Sequence, residues 1–211
     1  MHLRAPAIIL AVRAHGEHGA IVRALTKGQG VQPGYVRGGR STRLRPVLQP
    51  GNLVLGDWRA RTEVQIAALT VELAQSRAPL FAEPLAAAAI TWVTTLAAVA
   101  LPEGQPYPRL FDALGGLLEA IALAPAARDW AAALVRFELL VLAELGFGLD
   151  QRAGATMPLF LTDGGAGDWP QIIAALKLTG YFLRRDVLSE RRSGALGARD
   201  RLIDRLYRVV A

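Results

Sequence analysis

Five short apolar runs fill the first 75 residues, and each is broken off by turn residues before it reaches helical length. Ile8, Leu10 and Val12 alternate with smaller or polar positions, Gly16-Glu17-His18-Gly19 interrupts, Ile21 to Thr26 resumes, and Lys27-Gly28-Gln29-Gly30 turns again. A period of two marks strands with one buried face. Strands are expected at 7–14, 19–26, 31–37, 52–59 and 63–73. So many short antiparallel strands in so little chain are best closed on themselves, because closure removes exposed edges.

After Ser76 the texture changes to long apolar stretches with helical spacing. Helices are expected at 80–99, 107–123, 127–145, 169–188 and 199–210, with 150–168 as the one long loop. In the third, Trp130, Leu134, Phe137, Val141 and Leu145 recur on one face, and Gly146 follows as a C-terminal cap. In the fourth the inner face is read as Ile172, Ile173, Leu176, Gly180, Leu183 and Val187, and in the fifth as Leu202, Leu206 and Val209. The expected fold is therefore α+β, an N-terminal five-stranded OB-fold β-barrel over residues 1–76 followed by an all-α helical bundle over 77–211.

Neither apolar segment that imitates a membrane signal is read as one. The charge-free stretch 85–101 is rich in Ala and Thr and flanked by Glu83 and Glu103, which suits a buried helix. The stretch 5–12 contains Pro6 and runs into Arg13, which suits a strand better than a secretory signal. The chain has no cysteine, so disulfides, thiolate nucleophiles and Cys-ligated metals are excluded, and a reducing, cytoplasmic location fits.

Chemical motifs are sparse. Gly28 and Gly30 lack the third glycine of a dinucleotide fingerprint, no phosphate loop and no Gly-x-Ser-x-Gly elbow occurs, and His15, Glu17 and His18 sit in a turn without a further ligand. The acids of the helical part, Glu138 and Glu144 near Arg136 and Asp186 and Glu190 near Arg184 and Arg185, read as a solvated face. No catalytic residue, metal site or cofactor is expected, and an enzyme is the poorer hypothesis.

The charge is more informative. Ten Lys/Arg face four Asp/Glu through Gln75, whereas the remaining residues carry fourteen of each. Seven arginines fall between Arg37 and Arg77 against three acids. If 31–37 is extended, Tyr35 and Arg37 share a face and can offer a base a ring and its phosphate a guanidinium. Arg40, Arg43 and Arg45 follow on a glycine-hinged loop expected to mould around a nucleic-acid backbone, and Arg59 and Arg61 extend the positive surface. Trp58 serves either stacking or the barrel core, with the core favoured. A single nucleic-acid strand is the expected ligand. Since phosphate contacts and stacking do not distinguish DNA from RNA, a single-stranded DNA binder and an RNA-binding or ribosome-associated OB-fold protein both stay open, with a peripheral membrane protein as a further rival.

The order of these features also resembles the RecO family of bacterial DNA repair proteins. The resemblance rests on His15-Gly16-Glu17, Leu25-Thr26, Val36-Arg37-Gly38-Gly39-Arg40-Ser41, Leu48-Gln49-Pro50-Gly51 and Trp58-Arg59-Ala60-Arg61. It continues in Val135-Arg136-Phe137-Glu138-Leu139-Leu140 and in Glu144-Leu145-Gly146-Phe147-Gly148-Leu149-Asp150. It implies a non-enzymatic recombination mediator of the RecF pathway that binds and anneals single strands, contacts the acidic C-terminal tail of single-stranded DNA-binding protein, and works with RecR to load RecA. It places DNA contacts on Arg37, Arg40 and Arg43 and the tail site at Arg136. An ion pair of Arg136 with Asp129 or Glu138 is the alternative reading of the residues. Many relatives carry zinc-finger cysteines after the Gly-Phe-Gly-Leu-Asp segment, where this chain has Gln151 to Ala155, so no zinc is inferred.

Overall fold

The computed structural model describes residues 2–62, 65–124, 126–147, 165, 167–188 and 193–210. Five strands, β1 (His2–His15), β2 (Gly19–Thr26), β3 (Gly30–Val36), β4 (Leu53–Arg59) and β5 (Ala68–Gln75), close into a barrel in the order β1-β2-β3-β5-β4. β3 and β5 meet in parallel, and every other pair is antiparallel. This is the OB arrangement expected from the alternation. β1 starts five residues earlier than the pattern suggested, because its first half pairs with β4 (His2 opposite Arg59) and its second half with β2 (His15 opposite Gly19). A register shift between Ile9 and Ala11 lets one strand serve both neighbours. β5 begins at Ala68, and the expected start of that strand at Glu63 lies outside the described residues.

Ala7, Ile9, Val22, Val36, Val54, Trp58 and Leu69 fill the barrel, so Trp58 is core. The segment expected to be a pliant loop is a plug. Arg45 N–H donates to Ser41 O (2.9 Å) and Leu48 N–H to Leu44 O (3.0 Å), and Leu44, Val47 and Leu48 pack into the barrel core. Their helical spacing turns the apolar side chains inward and leaves Arg40, Arg43 and Arg45 outside.

A 3₁₀ turn (Ala78–Ala82) leads into the helical part, where the described residues form five helices: α1 (Pro84–Ala100), α2 (Pro108–Leu123), α3 (Arg128–Glu144), α4 (Trp169–Phe182) and α5 (Ser193–Val210). α1 is buried along Trp92, Val93 and Leu96, and no described helix is long and apolar enough to cross a membrane. Gly146, at φ +82°, ends α3 as expected. Its N–H reaches Ala143 O, and Phe147 N–H reaches Leu142 O, which satisfies the last carbonyls. The single helix expected over 169–188 instead passes at Leu183–Val187 into a π-helical turn. α5 starts six residues earlier than expected, and Val209 is 57% exposed rather than on its inner face.

Glu138 overturns the reading of a solvated face. It is 0% exposed and accepts from Trp92 Nε1 (2.7 Å), from Thr179 Oγ1, and from Arg199 Nε and Nη2 (both 2.9 Å). Glu144 and Asp186 are also partly buried, their side chains 20% and 15% exposed, and pair with Arg109 (3.0 Å) and Arg185 (2.6 Å), while Glu190 lies outside the described residues.

The two parts share one apolar seam, since Ile8, Leu10, Leu25 and Val31 point out of the barrel into the core of the helices. A polar joint reinforces it. Asn52 donates to the Pro46 and Val47 carbonyls and accepts from Arg77 N–H, and Arg77, with a side chain 6% exposed, donates to Glu119 (2.6 Å). Arg77 thus leaves the basic tract in which the sequence counts it. Its hydrogen bond, with a second from Gln75 and the Arg77 charge, holds the Glu119 carboxyl below its ordinary value of 4.5. A lowered pKa stabilises the fold above the ordinary carboxylate range, and that contribution is lost as pH falls through the folded value. Glu119→Gln is expected to be less stable at neutral pH and to lose less on acidification from about pH 5 to about pH 3, as read by urea unfolding at each pH.

Candidate nucleic-acid interface

The outer surface of β1, β2 and β3 is divided rung by rung. Ile8, Leu25 and Val31 form one rung, which the helices cover. Beyond it Ala11, Arg23 and Pro33 form the next, then Arg13, Ile21 and Tyr35, and finally His15 with Gly19. This upper half is open. OB barrels bind oligonucleotides on the face of strands 2 and 3 between the loops that follow strands 1 and 4.

Tyr35 is held as a fixed platform. A side chain on Gly19 would come within 2.4 Å of the Tyr35 ring, so only glycine lets the ring lie there, and His15 meets it edge-on at 5.9 Å. The backbone N–H of Tyr35 donates to Ala67 O at 2.8 Å. Beside it a cleft of about 360 Å³ is floored by Ile21 and Pro33 and walled by Arg13 and Ile66, with Ile66 53% exposed on the β4–β5 connection. Arg23 and Glu103, 2.5 Å apart, close the end nearest the helices.

The expected contact residues are only partly brought together. Arg37 follows the last residue of β3 directly and is exposed. Arg40 sits at the same corner but is engaged. Its N–H donates to His18 O, and its guanidinium donates to Glu17 O at 2.9 Å, tying the barrel plug to the β1–β2 turn. Arg43 and Arg45 are exposed on the outside of the plug, and Arg61 is exposed on the β4–β5 connection. Arg59 stands on the outer face of β4 opposite His2, on the rung that runs through Ala68 of β5 to Tyr35, and it grips Asp57 with two hydrogen bonds (3.1 and 2.9 Å), which hold the Asp57 carboxyl below its ordinary range and offset the Arg59 charge.

The Arg136 guanidinium donates to the Gly165 carbonyl. The segment Gln151 to Ala155, where relatives carry finger cysteines, lies outside the described residues. Arg13, His15 and Ile66 were missed by sequence reasoning. Positions 11, 13 and 15 alternate as outward residues, but the register shift after Ile9 hides which face they take.

The fold and the site define a class, a closed OB barrel with an open basic and aromatic face backed by a helical domain. Comparison with known proteins narrows this class. The family profile described as "Recombination protein O N terminal" matches residues 1–77, and "Recombination protein O C terminal" matches 82–157. The chain is 36% identical to the DNA repair protein RecO of Rhodospirillum centenum (strain ATCC 51521 / SW), over 94% of this chain and 92% of that one. It is 39% identical to DNA repair protein RecO of Rhodopseudomonas palustris (strain BisB5), over 97% and 95%, and 34% identical to that of Gluconacetobacter diazotrophicus, over 97% and 94%. The chain belongs to the RecO family.

Proposed function

We propose that this chain is a DNA repair protein that holds single-stranded DNA on the open half of the β1–β2–β3 face and acts, without catalysis, as a recombination mediator. The observation that carries the reading is the Tyr35 ring packed over Gly19, with Arg13 on the same outward rung and the exposed Arg37 two residues further along the chain. Bases stack on the ring and in the Ile21–Ile66 cleft, while guanidiniums take the phosphates, an arrangement that tolerates any sequence. Arg43, Arg45 and Arg61 extend the phosphate track, and Arg40 contributes its remaining donors. In this reading residues 1–76 hold DNA and 77–211 hold partners in the cytoplasm. Those partners are RecR and the acidic tail of single-stranded DNA-binding protein, with Arg136 at the tail site. Annealing and the loading of RecA follow from holding a strand while a partner is displaced.

Affinity measured against salt tests the reading. With about four phosphates neutralised, log affinity falls against log salt with a slope near minus three. A slope of zero, or binding to RNA or anionic vesicles well above that to single-stranded DNA at equal salt, overturns it. Pull-down with single-stranded DNA-binding protein, with and without its acidic tail, tests the partner assignment, and Arg136→Ala is expected to weaken capture by about tenfold.

A further inference from the structure

The neutrality of the region after Gln75 conceals a second basic surface. Residues 76–176 carry five Lys/Arg and ten Asp/Glu, and residues 177–211 carry nine and four. Of those nine, Arg199 is buried against Glu138, Arg185 is paired with Asp186, and Arg184 lies 3.7 Å from Asp200. Arg201, Arg205 and Arg208 differ from them. They recur at steps of four and three along one flank of α5, Arg201 and Arg208 are exposed and Arg205 partly so, and none has an acidic partner within 4 Å among the described residues.

We propose that this stripe is a second binding site for a single nucleic-acid strand, distinct from the barrel face; the assignment rests on the barrel reading above. α1 packs against both β1 and α5, so α5 is joined to the barrel through α1. Three guanidiniums spread over about 10 Å of helix axis, a length along which one strand of a duplex presents about three phosphates. An interfacial membrane helix is the poorer fit. The apolar face of α5, Leu202 and Leu206, is fully buried in the domain core, which leaves Tyr207 and Val209 at its C-terminal end and no continuous apolar face to insert. Two strands held on one chain place complementary sequences together, which is what annealing requires.

The experiment uses the full chain and two short, non-complementary, end-labelled oligonucleotides. Wild type binds two per chain, with energy transfer between them. Arg201→Glu/Arg205→Glu/Arg208→Glu binds one, shows no transfer, retains the remaining strand within about twofold, and anneals complementary strands about tenfold more slowly. The milder Arg201→Gln/Arg205→Gln/Arg208→Gln loses the second strand without reversed charge at the α5 C-terminus and serves if the first variant is unstable. Transfer that persists in both folded variants, one strand per wild-type chain, or a stripe that takes anionic vesicles or an acidic peptide in preference to the oligonucleotide overturns the proposal. If Arg13→Glu/Arg37→Glu abolishes all binding and the α5 variants abolish none, the barrel reading stands and this one falls. If wild type binds no strand, both fall.

Discussion

Arg199→Met is expected to lower the unfolding free energy by about 3–5 kcal/mol, the usual loss when one partner of a buried ion pair is removed. The size follows from what stays behind. Glu138 is fully buried between α1, α3, α4 and α5, and without the guanidinium its carboxylate keeps only the Trp92 indole N–H and the Thr179 hydroxyl as donors. Arg199 also donates to the Leu176 carbonyl at 2.6 Å, so α4 loses a contact as well. Burial would lower the Arg199 pKa, but the Glu138 charge and hydrogen bonds outweigh it, so the guanidinium stays ionised in the folded state. The companion Glu138→Gln/Arg199→Met removes both charges while keeping an acceptor for Trp92. It is expected to recover about half of the Arg199→Met loss and so to cost about 2 kcal/mol, well below the sum of the two single variants. Urea unfolding of the two single variants and the double checks this. A double variant as unstable as the sum of the singles would mean that the pair is not coupled.

The same network shows where the sequence was legible and where it was not. Strand alternation and turn residues were enough for the barrel, and Gly146 marked its helix end, because both signals are local. Glu138 was misread through identity rather than position. It lies four residues after Leu134 and three before Val141, within the stripe that packs inward, but a carboxylate there looks solvated until its partner Arg199, 61 residues away, is placed beside it. β1 was truncated at Ala7 because Arg4 and Pro6 argue against a central strand, whereas here they lie on the half that pairs with β4. The basic tract was visible as composition. Which arginines remain available was not, since Arg40, Arg59 and Arg77 are engaged by a turn, by Asp57 and by Glu119, all contacts set by tertiary structure.

That sorting gives the sharpest functional expectation. Arg13→Glu/Arg37→Glu/Arg43→Glu removes three exposed guanidiniums around the Tyr35 platform. A charged contact is worth about 1.5–3 kcal/mol when directed, and solvent exposure reduces it toward about 1 kcal/mol. Three such losses weaken single-stranded DNA binding by about a hundredfold. The salt slope should flatten from near minus three to near minus one, because each lost contact removes about 0.7 from it. The melting temperature should not move, since none of the three has a charged partner within 4 Å among the described residues. Arg40→Ala should behave differently. It removes the ties to the β1–β2 turn and costs about 1 kcal/mol of stability, with a smaller effect on the salt slope than the triple variant. Anisotropy titrations at several salt concentrations, run beside thermal melts of the same preparations, separate the two behaviours. Unchanged affinity in a folded triple variant would remove the open face of the barrel from the DNA path.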